Sequence, residues 1–208
     1  MRGAGVVTCK TVIGLTGGIG SGKSAIREAF EALGIPAYDC DSRTKALYRE
    51  DKALAAQVAE LLGAEVLAED GSLNLKKMAA RLFGNRQLMA SLEAIVHPAV
   101  AEDFLRWAGR QESDIIIMES AILLEKPFFD KFADFTLAVS APEGVRMQRV
   151  MHRDGASPEQ VQSRLASQWT DAQREAAADM TVVTDDRTPV LPKILKLIDK
   201  LKTRNNGN

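Results

Sequence analysis

The sequence predicts an α/β fold, a doubly wound domain in which a five-stranded parallel sheet is flanked by helices. Three observations predict it: short apolar runs of strand length, helical stretches between them, and a glycine cluster where the first run meets the first helix. Thr11–Thr16 reads as a buried strand that stops at glycines. A helix follows from Ser24 to Leu33, with Ile26, Phe30 and Leu33 on one face, and Gly34 stops it. The second strand is Ile35–Asp39, with Pro36 at its start, where a missing donor is tolerated.

From Asp41 to Arg110 the pattern is helical. Leu47, Leu54, Val58, Leu61 and Leu62 form one amphipathic face ended by Gly63, and a connector with a turn at Asp70-Gly71 follows. Two more helical stretches are expected, separated near His97-Pro98. This block is long for a simple crossover and is a candidate substrate lobe. Asp114–Glu119 is an almost purely apolar run, as in a strand buried on both faces of a parallel sheet. Phe135–Val139 and Thr181–Thr184 are the fourth and fifth strands. Between them Arg146–Arg174 is a polar, Arg-rich helical excursion. Leu191, Ile194, Ile198 and Leu201 mark a closing helix, and Thr203–Asn208 is expected to fray.

Composition narrows the partners. The chain has 208 residues, 46% hydrophobic, enough for one core with a small appended lobe. Its 27 basic and 28 acidic residues leave no electrostatic footprint for nucleic acid. Aromatics at 5% offer no stacking platform for bases. Cys9 and Cys40 form no Cys-x-x-Cys pair, which suits a reducing compartment. The first residues lack the core of a signal peptide, and no apolar run approaches the ~20 residues of a membrane span. A cytoplasmic protein with no membrane or nucleic-acid partner is expected; the sequence leaves the oligomeric state open.

Gly17-Gly18-Ile19-Gly20-Ser21-Gly22-Lys23-Ser24 satisfies G-x-x-x-x-G-K-S between a strand and a helix, which makes it a P-loop. Successive backbone N–H groups curl around phosphate oxygens, and glycine lets the chain approach closely. The helix N-terminus adds its positive end. Lys23 is expected on the β- and γ-phosphates and the Ser24 hydroxyl on Mg²⁺, with ATP cradled from Gly17 through Ala25. The rival is a dinucleotide fingerprint, since Gly20-Ser21-Gly22-Lys23-Ser24-Ala25 also fits G-x-G-x-x-A and Asp39 and Asp41 lie about 20 residues on. That would make the chain an oxidoreductase. The fingerprint leaves Lys23 and Ser24 unexplained, and its first glycine would sit inside a longer loop. A GTP-driven switch lacks its Asn-Lys-x-Asp reader. His152-Arg153-Asp154 lacks the rest of a protein-kinase catalytic loop.

Asp39 and Asp41, two apart at the end of an extended segment, are expected to point the same way into the crevice at the carboxyl ends of the strands. One would accept a proton from an acceptor hydroxyl; the ordinary reading, a helix cap, also fits one of the two. Arg146, Arg149, Arg153, Arg164 and Arg174 crowd the second helical excursion, where a lid closes over phosphates. Glu119 ends the third strand, where an acid holds Mg²⁺ through water or simply meets solvent. His97 contacts substrate or marks the helix break at Pro98.

These residues resemble the dephospho-CoA kinase family over nearly the whole chain, from Thr11 to about Asp186. Asp39-Cys40-Asp41 sits where the family has Asp-Ala-Asp, and His97-Pro98 is similar to its His-Pro. Ile122-Leu123-Leu124-Glu125 resembles its Leu-Leu-x-Glu. Arg149, Arg153-Asp154, Arg164 and Gln168 match its lid, and Ala178-Asp179 precedes the last strand as in the family. Two positions depart: Ala121 replaces a proline, and Thr184-Asp185-Asp186 replaces Asn-x-Gly. The resemblance implies a P-loop NTPase fold with a core at 11–41, 111–145 and 176–202, a helical CoA lobe at 42–110 and a lid at 146–175. Residues 1–10 and 203–208 are expected to be flexible. It also implies transfer of the ATP γ-phosphate to the ribose 3′-hydroxyl of dephospho-CoA. Asp41, Lys23 and Arg149 would be catalytic, Asp41 and His97 would bind substrate, and Ser24 and Glu119 would serve the metal. Other small-metabolite kinases with a P-loop are the alternative.

Overall fold

The computed structural model describes residues 10–185 and 187–205. The chain divides into two compact units, one formed by residues through Tyr38 together with those from Gln111 onward, the other by Asp39–Arg110.

The first unit holds the sheet. Its strands are β1 (Thr11–Thr16), β2 (Ala37–Asp39), β3 (Ile115–Glu119), β4 (Phe135–Ser140) and β5 (Met180–Val183), in the order β2-β3-β1-β4-β5. β1 pairs in parallel with β3, Ile13 opposite Ile117, and with β4, Ile13 opposite Phe135; β4 pairs in parallel with β5. The chain therefore crosses from one side of β1 to the other between β3 and β4. That reversal opens a crevice at the carboxyl end of β1, where α/β sheets take ligands.

Helix α1 (Lys23–Ala32) and the last helix of the chain pack on one face of the sheet. Ile26, Phe30, Ile194, Leu197, Ile198 and Leu201 meet Ile13, Leu15, Ile115, Ile117, Leu137 and Val139 there. The strand residues involved are two apart, so each strand offers every second side chain to this layer. On the other face Gly14 is packed so closely that a methyl group there would lie 2.9 Å from Ala133 Cβ and from Leu123 Cδ1. Leu33, expected on the buried face of α1, is instead 41% exposed, because the helix ends at Ala32 and Leu33 is its C-cap. Asp179, just before β5, accepts from Thr136 N and Oγ1, both at 2.7 Å, and thereby sets β5 against β4.

The second unit is helical: α2 (Cys40–Glu50), α3 (Lys52–Leu62), a short 3-10 turn at Ala64–Val66, α4 (Leu75–Leu82) and α5 (Arg86–Ala108). Asp51 breaks the single face expected from Leu47 to Leu62. It ends α2 and caps α3, accepting from Leu54 N at 2.9 Å. Arg43 and Asp103 tie α2 to α5 through two parallel hydrogen bonds of 2.9 and 3.1 Å. The break expected at His97-Pro98 is absent; α5 runs through Pro98. Pro98 and Ala94 both lie on the exposed side, so the carbonyl that loses its amide partner faces solvent.

Five more helices belong to the first unit: α6 (Pro127–Asp130), α7 (Glu143–Asp154), α8 (Pro158–Ala166), α9 (Asp171–Ala177) and α10 (Leu191–Asn205). Both α8 and α9 start with a capping box, Ser157 with Gln160 and Thr170 with Gln173. The fraying expected from Thr203 does not occur before Asn205, since buried Leu201 anchors the last turn of α10; 206–208 lie outside the described residues. So do residues 1–9 of the N-terminal segment expected to be flexible. Its last residue, Lys10, donates to the carbonyls of Gln111 and Ser113 at 2.6 and 2.9 Å.

Candidate active site

The P-loop leaves β1 at Thr16 and enters α1 at Lys23, with positive φ at Gly20 (76°) and Gly22 (89°). Those two torsions suit glycine and turn successive peptide units in alternating senses. The loop's outward carbonyls are each held. Ile19 O accepts from Arg146 Nε at 3.0 Å, Gly20 O from Arg149 Nη1 at 3.2 Å, and Ser21 O from Thr184 Oγ1 at 2.6 Å. Lys23 Nζ donates to Gly17 O at 2.7 Å. With these carbonyls engaged, the loop still carries the amides of Gly20, Gly22 and Ser24. None of these three donates to an acceptor among the described residues. A ring of N–H groups closed by a lysine is a phosphate cradle. Because β1 ends at Thr16, Gly20 lies well inside the loop, which removes the basis of the dinucleotide fingerprint.

A second layer holds the holders. Arg146 is 7% exposed and pairs with Asp171 at 2.9 Å, and Arg174, 1% exposed, donates to Glu125 at 2.7 Å and to the Trp169 carbonyl. Glu125 also accepts from Trp169 N at 3.3 Å. A side chain at Gly18 would collide with the Arg146 guanidinium. Gln168 Oε1 accepts from Ile19 N at 2.9 Å. Thus buried Arg146 fastens α7 to the loop and pairs it with α9, and the neutral Gln168 amide fastens the stretch between α8 and α9. Neither Arg146 nor Arg174 lies on a solvated helix face. Arg153 and Arg164 do face solvent and share Asp154, each at 2.7 Å; hydrogen bonding from Arg153 leads in pulling the Asp154 carboxyl below its usual range.

The remaining expected residues fall as follows. Lys23, Arg149 and the loop come together in the first unit. Ser24 and Ala25 are exposed on the first turn of α1. Glu119 ends β3 opposite Leu15, is 8% exposed, and meets Arg27 Nη1 at 3.5 Å rather than standing in solvent. Asp39 and Asp41 do not share an extended segment. Asp39 ends β2 and caps α2, accepting from Ser42 N at 3.0 Å and Ser42 Oγ at 2.7 Å, while Asp41 stands exposed in the first turn of α2. His97 lies within α5 of the helical unit.

Thr184 and Asp171 were not expected at the loop. Asp171 was legible in part, since Thr170-x-x-Gln173 announces a helix start beside it. Thr184 carried no local signal beyond its departure from the Asn-x-Gly pattern. Asp185, the next residue, folds onto its own turn: it accepts from Thr188 N at 2.7 Å, Arg187 N at 3.1 Å and Thr188 Oγ1 at 2.9 Å. These bonds, the Thr188 amide first, hold its carboxyl down at about 2.

The dephospho-CoA kinase family model matches residues 11–189. The chain is 38% identical over 187 residues to the dephospho-CoA kinase of Bacteroides fragilis, covering 89% of this chain and 90% of the relative. It is 37% identical over 193 residues to that of Porphyromonas gingivalis, covering 92% and 95%. Among solved structures, TT1252 from Thermus thermophilus superposes with a TM-score of 0.80 at 30% identity, covering 91% of this chain and 96% of that one. On sequence along almost its full length, the chain belongs to the dephospho-CoA kinase family.

Proposed function

We propose that the chain transfers the γ-phosphoryl group of ATP to the ribose 3′-hydroxyl of dephospho-CoA, giving CoA and ADP, the last step of CoA synthesis. The observation that carries this reading is the P-loop, with the carbonyls of Ile19, Gly20 and Ser21 held by Arg146, Arg149 and Thr184 and with Lys23 folded back onto the loop, in a chain of this family. The loop from Gly17 to Ala25 orients the triphosphate, and Lys23 exchanges the Gly17 carbonyl for phosphate oxygens. Arg149 covers charge that develops on the transferring group, as phosphoryl transfer requires. Asp41 orients the acceptor hydroxyl and takes its proton, and His97 contacts the acceptor.

Mg²⁺ fits the donors present. The Ser24 hydroxyl is exposed at the start of α1, and the described residues contain no group of three or more His, Cys, Asp or Glu that would cage an ion. An ion bound by one hydroxyl, phosphates and water suits magnesium, which gives up its water reluctantly. Glu119, engaged by Arg27, serves through water. When bound, the ion neutralises charge on the β- and γ-oxygens. The proposed partners are small molecules, with no nucleic acid. No helix of the described residues is long and apolar enough to cross a membrane, and we place the enzyme in the cytoplasm.

The test is an ATP-dependent assay of the purified chain against dephospho-CoA, AMP, shikimate and pantothenate. Turnover of dephospho-CoA well above the others is expected. Turnover of another acceptor with dephospho-CoA inert would overturn the assignment and leave a P-loop kinase of a different metabolite.

A further inference from the structure

We infer that Thr184 is a positioning residue for phosphoryl transfer, a relay that sets the P-loop wall and Arg149 with one hydroxyl. The inference rests on the phosphoryl-transfer reading above. Thr184 follows β5, and its own amide is fixed to Ser140 O at 2.9 Å, so its side chain starts from the rigid sheet. Its hydroxyl has one proton to give and lone pairs to receive. Ser21 O accepts that proton at 2.6 Å, and Arg149 Nη1 donates into the same oxygen at 2.9 Å. The Thr184 carbonyl takes a further bond from Arg149 Nη2 at 3.1 Å. The guanidinium is thus gripped by two atoms of one residue while it also holds Gly20 O.

The chain Arg149 N–H to Thr184 O–H to Ser21 C=O runs in one direction, so each bond polarises the next. Space is equally constrained: a Cβ on Gly22 would stand 3.0 Å from Thr184 Oγ1 and 3.3 Å from Arg149 Nη1. A hydroxyl here therefore sets the wall of the phosphate cradle and the aim of the arginine together. Misplacing a catalytic group by about 1 Å costs on the order of 10²-fold in rate.

The experiment compares Thr184→Val, which keeps the shape and removes the relay, with Thr184→Ser, which keeps the relay. Each is made alone and with Arg149→Ala. Steady-state kcat, KM for ATP, ATP-binding stoichiometry and the thermal transition are read for each. Thr184→Val is expected to lose about 10- to 10²-fold in kcat per ATP-binding site, with a smaller change in KM, and Thr184→Ser to regain most of it. In the double variant Thr184→Val should cost less than it does alone, because part of its effect passes through Arg149. Wild-type kcat in Thr184→Val, failure of Thr184→Ser to recover, or losses that simply multiply in the double variant would overturn the relay. Unchanged turnover in Arg149→Ala alone would instead remove Arg149 from the proposed chemistry, so the two failures are told apart.

Discussion

Lys23, half-buried, donates to the Gly17 carbonyl. Such a bond contributes about 1 kcal/mol, whereas the same ammonium on phosphate serves the reaction itself. Lys23→Ala should therefore lose several orders of magnitude of turnover with a thermal transition close to wild type; near-normal activity would refute the phosphate role. Asp39 and Asp41, alike in sequence, separate in the structure. Asp39 caps α2 through Ser42, so Asp39→Asn, which keeps one acceptor, should show only a modest loss of stability, and Asp39→Ala about 1 kcal/mol. Asp41 is exposed in the first turn of α2, and Asp41→Asn should lower single-turnover phosphoryl transfer by ~10²–10⁴ with ATP binding retained. A dead but folded Asp39→Asn beside an active Asp41→Asn would reverse the assignment. Asp185 offers a pH test. Its folded carboxyl is held at about 2, below the ordinary 3.8, so its contribution is complete above the ordinary value and is lost as pH falls through about 2. Its carboxyl resonance should titrate near 2 in the folded protein; a midpoint near 3.8 would dissolve the turn it caps.

At the level of elements, charge is used in two different ways. Arg174, 1% exposed, pairs with the partly buried Glu125 and fastens α9 to the segment after β3. Replacing Arg174 by Met leaves Glu125 without its charge partner, and removal of one member of a buried pair costs about 3–5 kcal/mol. The Arg153–Asp154–Arg164 cluster is exposed and should tolerate Asp154→Asn with little change in stability. Equal effects of the two substitutions in a denaturant titration would contradict this division. Helix α5 makes the opposite test. Pro98 interrupts its hydrogen-bond ladder on the exposed side, so Pro98→Ala should raise the stability of the helical unit by about 1–3 kcal/mol. If activity falls in that variant while stability rises, the proline serves the acceptor site rather than the helix.

Across the whole molecule, what the sequence made legible was local or periodic. The P-loop is eight consecutive residues between a strand and a helix, and β3 and β4 announce themselves as continuous apolar runs because both their faces are covered. The five strands followed from such runs, and the family from the P-loop together with the short motifs placed along the chain. What stayed hidden is what no period carries. Arg146 reaches Ile19 across 127 residues, Gln168 across 149, and Thr184 reaches Ser21 across 163. A polar residue gives no sign in sequence of the backbone atom it will meet. Pro98 misled for a different reason: a proline is a strong local breaker, but solvent on the open side of α5 and packing on the other let the helix continue. Nucleotide binding should stabilise the native chain by linkage, about 2.7 kcal/mol at a hundredfold excess over Kd. That shift should vanish in Lys23→Ala; a mutant that keeps it would place the phosphate clamp elsewhere.

The long reach of those bonds bears on synthesis. The P-loop motif is complete once residue 24 has been translated, yet the hydroxyl that holds its wall arrives with residue 184. Proteins emerge at about 5–20 residues per second, so a ribosome-bound chain carries the motif for roughly ten seconds or longer before it has the parts that shape it. A nascent or truncated chain ending before β5 would display the glycines without a formed cradle. Chains stalled after residues 145, 178 and 202 should retain ATP on a filter only in the last case, and capture by the shortest chain would show that the loop shapes itself unaided. Phosphoryl transfer would then begin only once β5 and Thr184 have been made.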